Sequence, residues 1–133
     1  MKIKNIWFED GRIYGESDDG RTLWQSLLYY PRLMNATASE RESYHIGAFG
    51  IHWPAIDEDI SFESFEYDNP EPVGISKILL SLPELNLSAL ARKIGIQQSL
   101  MAAYKNGTKT PSKEREIQIM NGIHDIGRKL TAL

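Results

Sequence analysis

Two different spacings of apolar residues divide the chain. Up to about residue 67 they cluster in short β-prone runs, and from residue 74 they recur at intervals of three and four. In the first part Ile3, Ile6, Phe8, Ile13 and Tyr14 flank Glu9-Asp10-Gly11-Arg12, an Asp-Gly hairpin signal. A second turn at Asp18-Asp19-Gly20-Arg21 leads into Thr22-Leu23-Trp24, so the pattern predicts a meander of three short antiparallel strands. Pro31, which suits a first helical turn, precedes Leu33, Met34, Ala36, Thr37 and Arg41 at mostly helical spacing and predicts one helix over about 31–42. Aromatic and β-branched residues return from Tyr44 to Trp53, with glycines that suggest bends. Pro54 to Ser61 reads as a polar loop or short helix.

In the second part Ile75, Ile78, Leu79 and Leu82 mark one helix, Leu87, Leu90 and Ile94 a second, and Leu100, Met101 and Tyr104 a third. Ser112 can cap a fourth, whose apolar face is read from Ile117, Met120, Ile123, Ile126 and Leu130 and which only Gly122 and Gly127 interrupt. The expected division is an acidic domain over 1–67, a proline-rich linker over 68–73 and a helical domain over 74–133.

Composition sharpens this division. The 133 residues are 41% apolar and 25% charged, which excludes collagen-like and wholly disordered chains. No apolar run reaches the roughly 18 residues of a membrane span, and the opening residues hold no secretory h-region, so a cytoplasmic protein is expected. With no cysteine there is no disulfide, thiolate metal site or thiol nucleophile. The net charge of −3 conceals an asymmetry. Residues 1–73 hold six Lys/Arg against fourteen Asp/Glu, a balance of −8, whereas residues 74–133 hold nine against four, a balance of +5. A basic segment of this kind points to an acidic or nucleic-acid partner.

Within the helical part, Asn86 or Ser88 can cap a helix ending at Ile94, and Gly95 falls where a sharp turn needs positive φ. Ile96 is then a buried turn residue, and a helix over 97–105 turns Met101 and Tyr104 inward. Two helices crossing steeply over so short a turn need a small side chain at their closest approach, which is Ala91. The set Leu90-Ala91, Ile94-Gly95-Ile96, Met101, Tyr104, Asn106-Gly107 and Pro111 resembles the phage-repressor type of helix-turn-helix, the Xre/Cro/CI family, over about residues 74–123. The alternative is a small helical bundle with a glycine cap.

The resemblance implies that Gln97, Gln98, Ser99, Ala102, Ala103 and Asn106 face DNA bases. Their chemistry agrees, since Gln pairs with adenine and Ala can contact the thymine methyl. Arg92, Lys93, Lys105, Lys109 and Lys113 are expected at phosphates, or else form a solvated basic face. Leu87 stands where many family members have a polar phosphate-holding residue, and the second helix has no outward Arg, which argues against guanine-directed binding. The last helix is expected to cover the core or to form a dimer contact, since symmetric half-sites need a two-fold protein.

In the acidic part, Tyr30-Pro31-Arg32-Leu33 with Ala36 and Glu40-Arg41, then Gly50-Ile51-His52-Trp53-Pro54 with Ile56 to Ser61, resemble the bacterial domain-of-unknown-function family 2442 over about residues 1–67. The resemblance implies a small α+β domain, sometimes followed by a repressor-like one, without an established activity. It also implies gene neighbourhoods reminiscent of toxin and antitoxin pairs. His52, Asp57, Glu58 and Asp59 are candidates for binding a partner. With Glu40 and Arg41 they could instead form the acid/base or metal site of a small hydrolase. In the simpler reading Asp57 caps a turn, Glu40 pairs with Arg32 or Arg41, and Trp53 is core.

The fold expected is thus an α+β N-terminal domain, a small antiparallel sheet with one helix, followed by an all-α lambda-repressor-like helix-turn-helix domain. The function expected is that of a noncatalytic, dimeric regulator of double-stranded DNA without a cofactor. It would resemble an antitoxin that represses its own synthesis, with a small toxin-like protein held by the acidic domain. The competing readings are an interaction adaptor whose helix-turn-helix has lost its DNA contacts, and a metal-dependent hydrolase using the acidic loop.

Overall fold

Asp10 and Gly11 both take left-handed φ, 51° and 71°, the geometry that turns one strand directly into an antiparallel neighbour. They join β1 (Ile3–Glu9) to β2 (Arg12–Ser17), which pairs in turn with β3 (Thr22–Ser26) as the turn signals predict. The computed structural model describes residues 1–67 and 70–133. It divides into two compact units, Met1–Glu71 and Pro72–Leu133. Of the segment expected as a linker, Asp68 and Asn69 lie outside the described residues. Among the described residues the fold is mixed α and β, with two three-stranded antiparallel sheets and six helices.

Alternation along the first sheet sorts its side chains. Ile3, Ile6 and Ile13 are buried, and Gly15 leaves room for Ile3 and Phe65, where a Cβ would stand 3.0 and 3.3 Å from their atoms. On the opposite face Trp7, Tyr14 and Trp24 are in cross-strand register. Trp7 and Tyr14 stack at 5.6 Å between centroids, and the Arg12 guanidinium lies 3.8 Å over the Trp24 ring. In the turn between β2 and β3 the Asp19 carboxylate accepts from Arg21 Nε at 2.9 and 3.0 Å and from the Ser17 hydroxyl. The Arg21 bond, followed by the Ser17 bond, holds the Asp19 carboxyl far below the usual carboxylate range.

The single helix expected over 31–42 is instead two, α1 (Pro31–Met34) and α2 (Ala38–Glu42). Thr37 causes the break: it takes extended backbone and restarts the chain with a capping box, its hydroxyl accepting from Glu40 N while the Glu40 carboxylate accepts from Thr37 N. Glu40 therefore does not pair with Arg32 or Arg41. Arg41 donates to the carbonyls of Leu33 and Met34 at 2.9 and 3.0 Å, satisfying the end of α1.

One sheet was expected here and the structure has two. β4 (His45–Ile46), β5 (Gly50–Trp53) and β6 (Glu58–Ser61) form the second. Pro54–Ile56 is a short 3-10 turn, and Asp57 at φ 52° reverses the chain so that Glu58 pairs opposite Trp53. The rest of the supposed loop is thus a strand, with Ile60 buried between exposed Asp59 and Ser61. Trp53 is core, as expected. Its indole donates to the Arg41 carbonyl at 3.0 Å, and its ring meets Phe8 and Tyr44. A second polar tie runs from Tyr30 through Gln25 to buried Ser64, with bonds of 2.6 and 2.9 Å, and joins β3 to the 3-10 turn Glu63–Glu66.

The second unit consists of α3 (Gly74–Leu80), α4 (Leu87–Ile94), α5 (Gln98–Asn106) and α6 (Lys113–Thr131). Its core is Ile75, Leu79, Leu90, Ala91, Met101, Tyr104 and Ile119. Ser76 Oγ donates to the Lys105 carbonyl at 2.7 Å and ties α3 to α5, while Ser112 caps α6 through Arg115 N. Of the apolar face expected on α6, Met120, Ile123 and Ile126 pack against the core, whereas Ile117 and Leu130 are exposed, and buried Ile119 and Gly122 complete the inward stripe at helical offsets of three and four. Its centre is Gly122, where α6 meets α4 so closely that a Cβ would lie 2.8 Å from Ile94 Cγ2 and 3.0 Å from Leu90 Cδ1. Gly122 thus serves packing and interrupts nothing.

The two glycines of α6 should respond oppositely to one methyl group. Gly127 has open space around its Cβ position, so Gly127→Ala should stabilise by about 0.5–1 kcal/mol. Gly122→Ala gains the same propensity against an overpacking cost of about 1–3 kcal/mol and should lower the melting temperature. A Gly122→Ala chain that melts higher than Gly127→Ala would refute the close approach. For Asp19, a lowered folded pKa means a contribution fully present above the unfolded value of about 4 and lost as pH falls toward the folded value. Asp19→Asn should therefore lower the melting temperature at pH 7, with the difference from the parent narrowing steadily as pH falls below about 4, as thermal scans against pH would show.

Candidate functional site

The short connection between α4 and α5 places the polar residues of the second unit. Asn86 caps α4 through Ala89 N at 3.0 Å. At the other end Gly95 takes φ 76°, and the Gly95 and Ile96 amides fold back on the last turn, Ile96 N reaching the Ala91 carbonyl at 3.0 Å. Ala91 is fully buried there. Gln97 is extended at the start of α5 and has no side-chain capping bond, so the first amides of α5 are not occupied by a side chain from that position.

Met101 and Tyr104 anchor α5 to the core. At roughly 100° per residue, Gln98, Ala102, Asn106, Ser99 and Ala103 then share an arc of about 140° on the other side. Gln98, Ser99 and Asn106 are exposed and the two alanines half-buried, so the arc interleaves polar groups with small apolar ones. Of the six expected base-facing residues, only Gln97 lies outside the helix, at its leading edge. Gly107 at φ 78° ends α5, and Thr108 and Lys109 donate to the Ala103 carbonyl.

The five cations do not form one set. Arg92, Lys109 and Lys113 are exposed, and Lys105 is half-buried at the end of α5. Lys93 is engaged by Asp125 of α6 at 2.6 Å, and Asp125 also meets Arg128 at 3.3 Å. The Lys93 bond holds the Asp125 carboxyl below its usual range, and the reciprocal bond raises the Lys93 ammonium. The α4–α6 approach at Gly122 brings Lys93 and Asp125 together. Nothing in the local sequence around either residue signals that contact.

In the first unit the four partner-binding candidates separate. His52 of β5 and Asp59 of β6 are cross-strand neighbours in direct side-chain contact, and His45 is the next residue in the same row. Glu58 is opposite Trp53, one position out of phase with Asp59. Asp57 is the reversal residue of the turn; its carbonyl accepts from Arg32 Nη1 at 2.5 Å. Among the described residues no group of three or more His, Asp or Glu is placed to hold a metal ion. The position that sequence reasoning passed over is Phe49, at the crown of the β4–β5 hairpin and 88% exposed. An aromatic residue inside a strand-like run reads as core, and only the hairpin geometry puts it in water.

A family model described as a protein of unknown function (DUF2442) matches residues 3–71. No curated protein and no solved structure matches the chain. No helix among the described residues is long and apolar enough to cross a membrane.

If Asp57 is held for its backbone, its substitutions should rank by tolerance of left-handed φ. Asp57→Gly should leave the melting temperature nearly unchanged, and Asp57→Val should cost about 1–2 kcal/mol. Equal melting of the two variants would show that the carboxylate, and not the turn, matters to stability.

Proposed function

Because the chain belongs, through residues 3–71, to the family of proteins of unknown function DUF2442, we propose that this module is joined to a helix-turn-helix that makes the whole a DNA-binding transcriptional regulator. The observation that carries the reading is the outward arc of α5: Gln98, Ser99 and Asn106 beside Ala102 and Ala103, rigidly backed by Met101 and Tyr104. In this reading α5 lies in the major groove, where Gln and Asn pair with adenine and the alanines meet thymine methyls. Gln97 and the uncapped first amides of α5 approach the backbone, with Arg92, Lys105, Lys109 and Lys113 at phosphates. Lys93 joins them only by leaving Asp125, so it contributes least.

The regulator works without chemistry and binds half-sites as a homodimer. An apolar groove of about 610 Å³, between the start of α4 and the last turns of α6, supplies surface for a second copy. Exposed Leu130 lines it beside Leu82 and Leu85. The acidic module, with His52 and Asp59 on an open sheet row, is the part that holds a protein partner, in the manner of an antitoxin that regulates its own synthesis.

Selection from a random double-stranded pool, followed by anisotropy titration, tests this. Binding should weaken with salt at a slope of about −0.9 per neutralised phosphate, and the double variant Lys105→Gln/Lys109→Gln should flatten the slope by roughly two contacts. Gln98→Ala should relax preference at one base pair by about 1–3 kcal/mol. Absence of salt-sensitive binding from a chain that melts cooperatively would remove the regulator reading and leave the adaptor.

A further inference from the structure

Phe49 stands out in the first unit because its backbone is fixed while its side chain lies almost wholly in solvent. The Gly47 amide donates to the Gly50 carbonyl at 2.8 Å across the turn, and the Phe49 carbonyl accepts from Phe62 N at 2.9 Å. Gly50 is pressed onto β6, where a Cβ would stand 2.6 Å from the Ile60 carbonyl oxygen. The hairpin crown is therefore held from both sides, yet the Phe49 ring is 88% exposed, more than any other large apolar side chain described in this unit. Beside it opens a cleft of about 460 Å³ whose apolar lining is Met1, Ala48 and Phe62 and whose rim carries Glu63 and Glu66.

We propose that Phe49 and this cleft are the docking site for a basic protein segment that carries a large apolar residue. The inference rests on the reading of the acidic module as the partner-holding part and names the place and the partner's chemistry. An aromatic anchor on an ordered backbone at the edge of a small cleft suits a binding hot spot, because only the two side-chain torsions of Phe49 remain to be fixed on binding. The sign of the partner follows from charge. Lys2 and Arg21, which lies 3.6 Å from Glu66, offset the rim carboxylates, so the long-range field is set by the unit's excess of fourteen acidic over six basic residues. That field repels nucleic acid and anionic lipid. It also repels a second copy, which would bring the same acidic surface to the same tip. A basic chain is attracted, and its apolar residue fills the space beside the ring.

The probe is a phage-displayed library of random peptides, selected on the full chain with the Phe49→Ser chain as counter-selection. Peptides that favour the parent should combine net positive charge with a large apolar residue. Their synthetic forms should bind Phe49→Ser roughly tenfold or more weakly. Binding should also weaken in Glu63→Gln/Glu66→Gln and with added salt. The proposal is overturned if no peptide distinguishes parent from Phe49→Ser, if those that do are neutral or acidic, or if sedimentation shows self-association that Phe49→Ser abolishes. Phe49→Ser should melt with the parent, since its ring packs on little, and should bind DNA unchanged. Loss of parental DNA binding with peptide discrimination intact would count against the regulator reading alone.

Discussion

The indole of Trp53 and the guanidinium of Arg41 form the junction on which the first unit depends. Trp53 is fully buried, and its single polar hydrogen is spent on the Arg41 carbonyl. The Arg41 side chain turns the other way to satisfy the end of α1 and lies 5.2 Å over the Phe8 ring of β1. Four elements, β1, α1, α2 and β5, thus meet in one cluster where the indole and the guanidinium both find carbonyl acceptors. A cation can be kept among aromatic rings here because carbonyls and a π face replace the water it loses. With β5 fixed by Trp53, β4 and β6 have a template, and the row His45, His52, Asp59 and the crown at Phe49 are placed as consequences.

The second unit is governed by space more than by polar ties. Ala91 is wholly buried in the core where α4 leads into α5, and Gly122 lets α6 lie against α4. Small residues at both contacts mean that Leu90, Met101, Tyr104 and Ile119 can fill the core without help from the outward side of α5. That side is then free to carry Ser and Asn, which favour a helix less, beside Gln and Ala, which favour it, and all four offer hydrogen bonds or methyl contacts. The polar face is affordable because packing elsewhere is tight.

Legibility in the sequence followed the range of each interaction. The Asp10-Gly11 turn, the Ser112 cap, the Gly95 turn and the inward Met101 and Tyr104 are local or one-turn effects, and short patterns encode them. The failures share another cause. The break between α1 and α2 depends on Thr37 and Glu40 capping one another while Arg41 reaches back, a competition that helical spacing does not register. β6 was missed because its strand character rests on pairing with β5 after the reversal at Asp57. The face of α6 is legible at Met120, Ile123 and Ile126 but not at its centre, which is a glycine that counts as neutral in any hydrophobic pattern although it is the point of closest packing. The Lys93 and Asp125 pair and the exposed Phe49 are tertiary facts of the same kind.

The division of charge constrains the proposed regulator more than any single residue. A basic unit alone would hold DNA largely through phosphates, with little sequence preference. Here the same chain carries a larger acidic excess, and one of the candidate phosphate contacts is already committed to Asp125. In the proposed regulator non-specific attraction would therefore be weakened by the chain's net negative charge and by the internal pair. What remains is the uncharged polar arc of α5, whose hydrogen bonds are short-ranged and directional and count only when the correct base edges face them. In the proposed regulator such a surface would give up affinity for arbitrary DNA and keep discrimination, and the acidic excess that lowers that affinity would be the same property that draws the proposed basic partner to the other unit.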